Sequence, residues 1–366
     1  MLRNSMMETL QIAAAFFLSL ILVYITIPAI VRLSKAKKLY DYPNKRKLNK
    51  CVIPNMGGAA LFLGISVATL LSIYKMQFQD LRYIMVALII MFYTGIKDDI
   101  LLITPQKKFI LQIITAVVLV VPGNIRLTDF HGIFGIDGIS YVPSSLINIL
   151  VIVSIINSIN LIDGIDGLAA GLGILITGFF SSAFFFYRHY EYAILGFAIL
   201  GGLIPFFIFN VFSKKNKIFM GDSGSLVLGT LFAILVIKYN EFALNDPGRI
   251  RYYSPALSMA IISVPLFDMI RVFFMRIINN KSPFSPDKNH IHHKFLRLGY
   301  SHLKSTLIIV TVNLMNICLI ATFRNLEIHI LLTILVIMGF LFDLILDYKL
   351  QKRKSHKILP IKLKHI

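Results

Sequence analysis

Five of the chain's 18 acidic residues fall in three short clusters. They are Lys97-Asp98-Asp99, the stretch from Asn160 to Gly167 that carries Asp163 and Asp166, and Gly221-Asp222-Ser223-Gly224. Each cluster sits at the edge of a long apolar run, and carboxylates near a bilayer are costly and tend to be kept for chemistry. Grouped Asp residues beside Gly-rich turns suit a hard divalent cation and phosphate oxygens. Adjacent carboxylates such as Asp98 and Asp99 resist joint ionisation unless a cation or Lys97 compensates. One could hold Mg²⁺ while the other accepts a proton; the plain alternative is a solvated helix end. Asp163 and Asp166, three apart, share one face of a helix start. Gly164 and Gly167 let backbone approach phosphate closely, and Asn157 and Asn160 add neutral hydrogen-bonding groups. Phe219-Met-Gly-Asp222-Ser-Gly-Ser225 precedes another apolar run, where a helix N-terminus welcomes an anion; a simple cap by Asp222 or Ser225 is the alternative.

A fourth group is basic. His290, His292 and His293 follow Asp287-Lys288-Asn289. Their spacing is awkward for one zinc ion and lacks the usual companions. Imidazoles and Lys288 suit a diphosphate instead. Asp268 lies inside an apolar run with Arg271 three residues on, which reads as a structural pair.

The elements that must position these groups are apolar. The chain is 57% hydrophobic with a mean hydropathy of +0.76, which predicts an all-α polytopic integral membrane protein. About 10–11 transmembrane helices are expected, from runs near 10–33, 58–75, 82–96, 107–121, 145–159, 168–186, 192–210, 224–238, 254–277, 305–323 and 327–346. The first run is too long for a signal peptide and its basic flank follows it. The transferase body is expected over 1–346 and a basic cytoplasmic tail over 347–366. Residues 122–143, bounded by Pro122 and Pro143, suggest a small hairpin. Cys51 and Cys318 are too far apart in kind and place to indicate a disulfide framework.

The net charge of +19 could suggest nucleic acid, but the charges follow alternate loops, which is the positive-inside pattern. It orients the N-terminus outside and puts loops 34–57, 97–106, 160–167, 211–223 and 278–304 in the cytoplasm. All four clusters then fall on that face, so a single cytoplasmic-face active site is expected, with no nucleic-acid partner. The basic stretches also suit anionic membrane lipid.

Taken together, Asp98-Asp99, Asn160-Leu-Ile-Asp-Gly-Ile-Asp-Gly-Leu168, Phe219-Met-Gly-Asp-Ser-Gly-Ser225 and His290-Ile-His-His293 resemble the polyprenyl-phosphate N-acetylhexosamine-1-phosphate transferases. Asp41-Tyr-Pro43, Arg46-Lys47 and Pro54-Asn-Met-Gly-Gly58 extend the likeness. The HIHH form is similar to the branch that uses UDP-N-acetylglucosamine. Lys288 stands where Arg is common, and Asn49 where many members carry His. The resemblance implies transfer of a sugar 1-phosphate, foremost GlcNAc-1-phosphate, from a UDP-sugar donor to undecaprenyl phosphate in a bacterial inner membrane, with release of UMP. The lipid-linked product would initiate a surface glycan. It implies a Mg²⁺ cofactor, with Mn²⁺ as a substitute. Asp222 would be the foremost ligand, Asp98 and Asp99 a base or accessory ligands, and Asp163, Asp166 and Asn160 the holders of the nucleotide diphosphate. Asn210 and Phe219 would line the nucleoside pocket, and His290, His292 and His293 with Lys288 would hold the diphosphate or select the sugar. A homodimer is compatible with this reading. Competing readings are a MurNAc-pentapeptide transferase, a CDP-alcohol phosphotransferase and a secondary transporter.

Overall fold

The computed structural model describes residues 2–37, 53–74, 76–246, 250–282 and 289–358. Residues 41–47, Asn49, Cys51, Asp287 and Lys288 lie outside the described residues. The chain folds into α1 (Leu2–Ala36), α2 (Gly57–Ser72), α3 (Leu81–Leu101), α4 (Pro105–Val120), α5 (Tyr141–Ile162), α6 (Leu168–Phe186), α7 (Tyr190–Val211), α8 (Gly221–Leu244), α9 (Ile250–Ile261), α10 (Ser263–Ile278), α11 (Ile291–Arg297), α12 (His302–Thr322) and α13 (Ile328–Ile358).

Every apolar run becomes helix, as backbone groups in hydrocarbon must be satisfied internally. Among the described residues, helices α1, α5, α6, α7, α8, α12 and α13 are long and apolar enough to cross a bilayer, and the bent pair α9–α10 is apolar enough to be either an eighth, broken span or a re-entrant loop. The chain is therefore an all-α multi-pass membrane protein. The other three predicted spans, α2, α3 and α4, are helices too. Helices α2 and α4 have 16 residues each, about 24 Å at 1.5 Å per residue, short of a full crossing. Helix α3 carries Lys97, Asp98 and Asp99 in its last turns.

Helix α8 is the axis of the bundle. Its apolar window is 83% buried, against 17% for α13, and it packs against α2, α3, α5 and α9. Small residues allow the close contacts at its start. A Cβ on Gly58 or Gly95 would overlap the backbone of Gly224 or Ser223, so α2 and α3 approach α8 as only small residues permit.

The run at 254–277, expected as one span, is two helices bent by 68° around Ile262. Pro265 falls in the first turn of α10, where its missing N–H costs nothing. Backbone groups freed at the break are met from α12. Asn313 Nδ2 donates to the Ile261 carbonyl at 2.8 Å, Val264 N–H donates to Asn313 Oδ1 at 3.2 Å, and Asn316 Nδ2 donates to Ser263 Oγ at 3.0 Å. Two further boundaries differ from expectation. Helix α13 continues through the predicted junction at 346 as far as Ile358, and the loop 278–304 contains α11. At the opposite end, the segment between Pro122 and Pro143 forms the expected hairpin around an Asp129–Gly138 antiparallel bridge. Glu241 of α8 anchors it by accepting from Thr128 N–H at 2.6 Å and Thr128 Oγ1 at 3.0 Å.

Asn313→Leu keeps the volume roughly but strands the Ile261 carbonyl and the Val264 N–H. We expect a loss of about 1–3 kcal/mol, seen as a lower Tm in detergent. A Tm equal to that of the unmutated protein would show that the break does not depend on α12.

Candidate functional site

The acidic clusters meet at one end of the bundle, where α3 ends, α4 begins, α5 turns into α6 and α8 starts. Their meeting point is Lys108, in the first turns of α4. Its Nζ donates to Asp222 Oδ1 at 2.7 Å, Asp98 Oδ2 at 3.1 Å and Asn160 Oδ1 at 3.1 Å. Asn160 Nδ2 donates in turn to Asp222 Oδ1 and, at 2.8 Å, to Ser225 Oγ. Asp98 also accepts from Ile103 N–H at 2.8 Å, which fixes the sharp end of α3. Four residues from α3, α4, α5 and α8 thus form one charge-assisted network.

Asp99 faces a different way. Its two oxygens accept from the N–H groups of Asp222, at 2.9 Å, and Ser223, at 3.0 Å. It therefore caps α8 from a neighbouring helix; the amides favour its charge, but burial and then the charge of Asp222 outweigh them and push its carboxyl up to about 7. Asn55 Nδ2 approaches the same carboxylate and the Asp99 carbonyl, each at 3.4 Å. The segment around Asn55 is held by Phe219, whose N–H donates to the Pro54 carbonyl and whose carbonyl accepts from Gly57 N–H, at 2.8 and 2.9 Å.

Asp163 and Asp166 part company. Half-buried Asp163 accepts no hydrogen bond from the described residues. Burial, then the negative charges of Asp222, Asp99 and Asp166, push its carboxyl up to about 7. Asp166 is paired with Lys217 Nζ at 2.6 Å, and His302 Nδ1 lies 3.1 Å from the same oxygen. Burial pushes its carboxyl upward, but those two hydrogen bonds outweigh it and hold the group below the usual carboxylate range. Asn210 is committed as well. Its Oδ1 accepts from Gly167 N–H at 2.6 Å and its Nδ2 donates to the Ile218 carbonyl at 2.8 Å. It joins the 163–167 turn to the chain segment before α8.

The histidines approach from α11. His292 lies over Gly164, where a Cβ would fall on its ring. It is buried, and burial followed by the imidazoles of His293 and His290 pushes it down to about 3. It is thus a neutral ring, and its Nδ1 has no partner among the described residues. His290 stacks parallel to His292, with ring centroids 5.8 Å apart, and its Nδ1 bonds Asp268 Oδ2 at 2.8 Å. Asp268 Oδ1 also accepts from Ile291 N–H and Arg271 Nη2, both at 2.9 Å. The predicted Asp268–Arg271 pair is real, and it serves to seat the histidine segment. His293 packs beside His292, centroids 4.3 Å apart.

The carboxylates fit a hard divalent cation in one specific way. Among the described residues, no three His, Cys, Asp or Glu side chains form a ready metal cage. Asp98 and Asp99 each accept at both oxygens, whereas among the described residues Asp222 Oδ2 and both oxygens of Asp163 accept no hydrogen bond and can turn to a cation. That matches an ion such as Mg²⁺, which takes one or two carboxylates and completes its shell with water and substrate phosphates. The crowding that raises Asp163 is the same crowding a cation would relieve.

Sequence reasoning missed Lys108, Lys217 and His302. Lys108 was hidden as the basic start of an apolar run; its signal was Lys107-Lys108 directly after the loop that follows Asp98-Asp99. Lys217 and His302 gave no local signal, because their partner Asp166 is remote in sequence.

Lys108→Met should leave Asp98 and Asp222 facing each other without a counterion. We expect turnover to fall by about 100-fold or more, with the protein still monodisperse by size exclusion. Near-normal turnover would remove Lys108 from the site.

Comparison with known proteins gives consistent relatives. Residues 81–240 match the sequence profile of glycosyl transferase family 4. The chain is 34% identical to the undecaprenyl-phosphate alpha-N-acetylglucosaminyl 1-phosphate transferase of Haemophilus influenzae, over 75% of this chain and 76% of the relative. It is 30% identical to a probable undecaprenyl-phosphate N-acetylglucosaminyl 1-phosphate transferase of Bacillus subtilis, over 83% and 82%. With the Salmonella typhi enzyme of the first description it shares 27% over 74% and 72%.

Proposed function

The chain belongs to glycosyl transferase family 4, and on that premise we propose that it transfers N-acetylglucosamine 1-phosphate from UDP-N-acetylglucosamine to undecaprenyl phosphate. The observation that carries this reading is the convergence of Asp98, Lys108, Asn160, Asp163, Asp222 and His292 at one end of a membrane bundle. A water-soluble nucleotide needs a site open to the cytoplasm, and a lipid phosphate needs that site at the membrane edge. The positive-inside pattern supports a bacterial inner-membrane protein with its N-terminus outside and this end in the cytoplasm. The relatives' printed activities favour the GlcNAc branch over the MurNAc-pentapeptide one, and family membership removes the transporter reading.

In the reaction an oxygen of the lipid phosphate forms a bond to the phosphorus that bears the sugar. The bond from that phosphorus to the UMP oxygen breaks, and UMP leaves. Mg²⁺, held by Asp222 with Asp163, would shield the diphosphate and polarise the attacked phosphorus. Lys108 supplies a fixed positive charge between the same carboxylates, placed to meet the phosphate charge that develops. Asn160 orients Asp222. Asp99 holds the α8 N-terminus, so its backbone N–H groups and Asp222 face one space. His292 and His293, seated by His290 and Asp268, border the donor diphosphate and its sugar. Phe219 and the 54–58 segment form the wall beside them, and Asp166 with Asn210 keeps the 163–167 turn in shape.

Purified protein with undecaprenyl phosphate, Mg²⁺ and a panel of UDP-sugars should release UMP fastest with UDP-N-acetylglucosamine. EDTA should stop release and Mn²⁺ should restore it. Asp222→Asn should need far more Mg²⁺ for half-maximal rate. Release of UMP at the same rate without the lipid phosphate, or full turnover of metal-stripped protein, would contradict the reading.

A further inference from the structure

Helix α13 lies at the periphery of the bundle, yet two acids on its inner half reach buried cations. Asp343 accepts from Lys294 Nζ at 2.6 Å and lies 3.3 Å from Arg271 Nη1, while Asp347 pairs with the same Lys294 Nζ at 2.7 Å. The Lys294 and Arg271 side chains are only 4% and 5% exposed. Arg271 Nη2 holds Asp268, and Asp268 holds His290 and the Ile291 N–H. Charges therefore run without a gap from Asp347 through Lys294, Asp343, Arg271 and Asp268 to His290. Farther along, Arg353 Nη1 donates to the Arg297 carbonyl at 3.0 Å and its guanidinium lies against Gly299, just past the end of α11.

Buried ion pairs contribute little net stability, because desolvation offsets their attraction. A chain of them is better explained by what it orients than by what it stabilises. Here both ends of α11 are fixed by α13: the first turn through Asp343, Arg271 and Asp268, and the last through Arg353. The object fixed is the stacked His290–His292 pair over Gly164.

We propose that Asp343 is a positioning residue for the donor half of the site, so that the C-terminal helix sets the imidazoles without touching substrate. This rests on the proposed donor role of the histidine segment. Removing the Asp343 charge frees Arg271 and Lys294 to shift and lets the first turn of α11 move against the 163–167 turn.

The test uses the full-length protein. Asp343→Asn should raise KM for the UDP-sugar about tenfold, with kcat and KM for the lipid phosphate within about twofold. Asp343→Glu should recover most of the donor affinity. Amide hydrogen exchange should rise across residues 290–297 and stay unchanged across the outer half of α8. A folded Asp343→Asn protein with unaltered donor KM, or with a lowered Tm as its sole defect, overturns the proposal. If no UDP-sugar is turned over by the unmutated protein, the functional reading fails. The exchange comparison still decides whether Asp343 fixes α11: unchanged protection at 290–297 overturns it, increased exchange upholds it. Should Asp343→Asn not fold, Asp347→Asn, whose carboxylate is 47% exposed, is read by the same criteria.

Discussion

One ammonium group organises the end of the bundle where α3, α4, α5 and α8 meet. Lys108 stands between Asp98 and Asp222, which come from helices that would otherwise repel each other there, and also reaches Asn160. Two carboxylates side by side at a membrane edge cannot both stay ionised without a cation. The chain supplies that cation from α4, and so α3, α4, α5 and α8 converge on one point. The remaining acids are arranged around that contact. Asp99 is turned away to the α8 amides, Asp166 is paired with Lys217 beside His302, and Asp163 is left without a hydrogen-bond partner among the described residues. A set of acids that looks uniform in sequence is therefore divided by its partners into capping, structural and open groups.

The same division would suit the proposed handling of highly charged phosphates beside lipid. A cage of three free carboxylates would bind a cation strongly but repel a diphosphate. The arrangement seen offers few open oxygens, a fixed positive charge and a neutral imidazole at His292. A strongly hydrated ion held there, as proposed, would complete its shell with substrate oxygens. The close approach of α2 and α3 to the start of α8 keeps the amides, Asp99 and Asp222 in register.

Much of this was legible in the chain. The apolar runs gave the helices, because hydrocarbon leaves no alternative to satisfied backbone. The acidic clusters at the edges of those runs come together at one end of the bundle, with the histidine segment packed beside them. What stayed hidden depends on contacts between distant residues. The bend at Ile262 is held by Asn313 and Asn316 on α12, both more than fifty residues away. The role of Asp268 follows from His290, twenty-two residues on. Both ends of the Asn210 amide are taken by backbone of two separate segments, which its place in the sequence does not foretell. Lys108 looked like an ordinary inner-edge lysine, and no local pattern distinguishes it from Lys107.

The central claim is that the open oxygens of Asp222 and its neighbours bind a divalent cation together with a nucleotide diphosphate. Electron paramagnetic resonance of Mn²⁺ in the presence of purified protein measures this directly. Tight Mn²⁺ binding should appear when UDP-N-acetylglucosamine is present, show coupling to the donor's phosphorus nuclei, and be lost in Asp222→Asn. Mn²⁺ binding of equal strength in Asp222→Asn, or binding with no phosphorus coupling, would contradict the account.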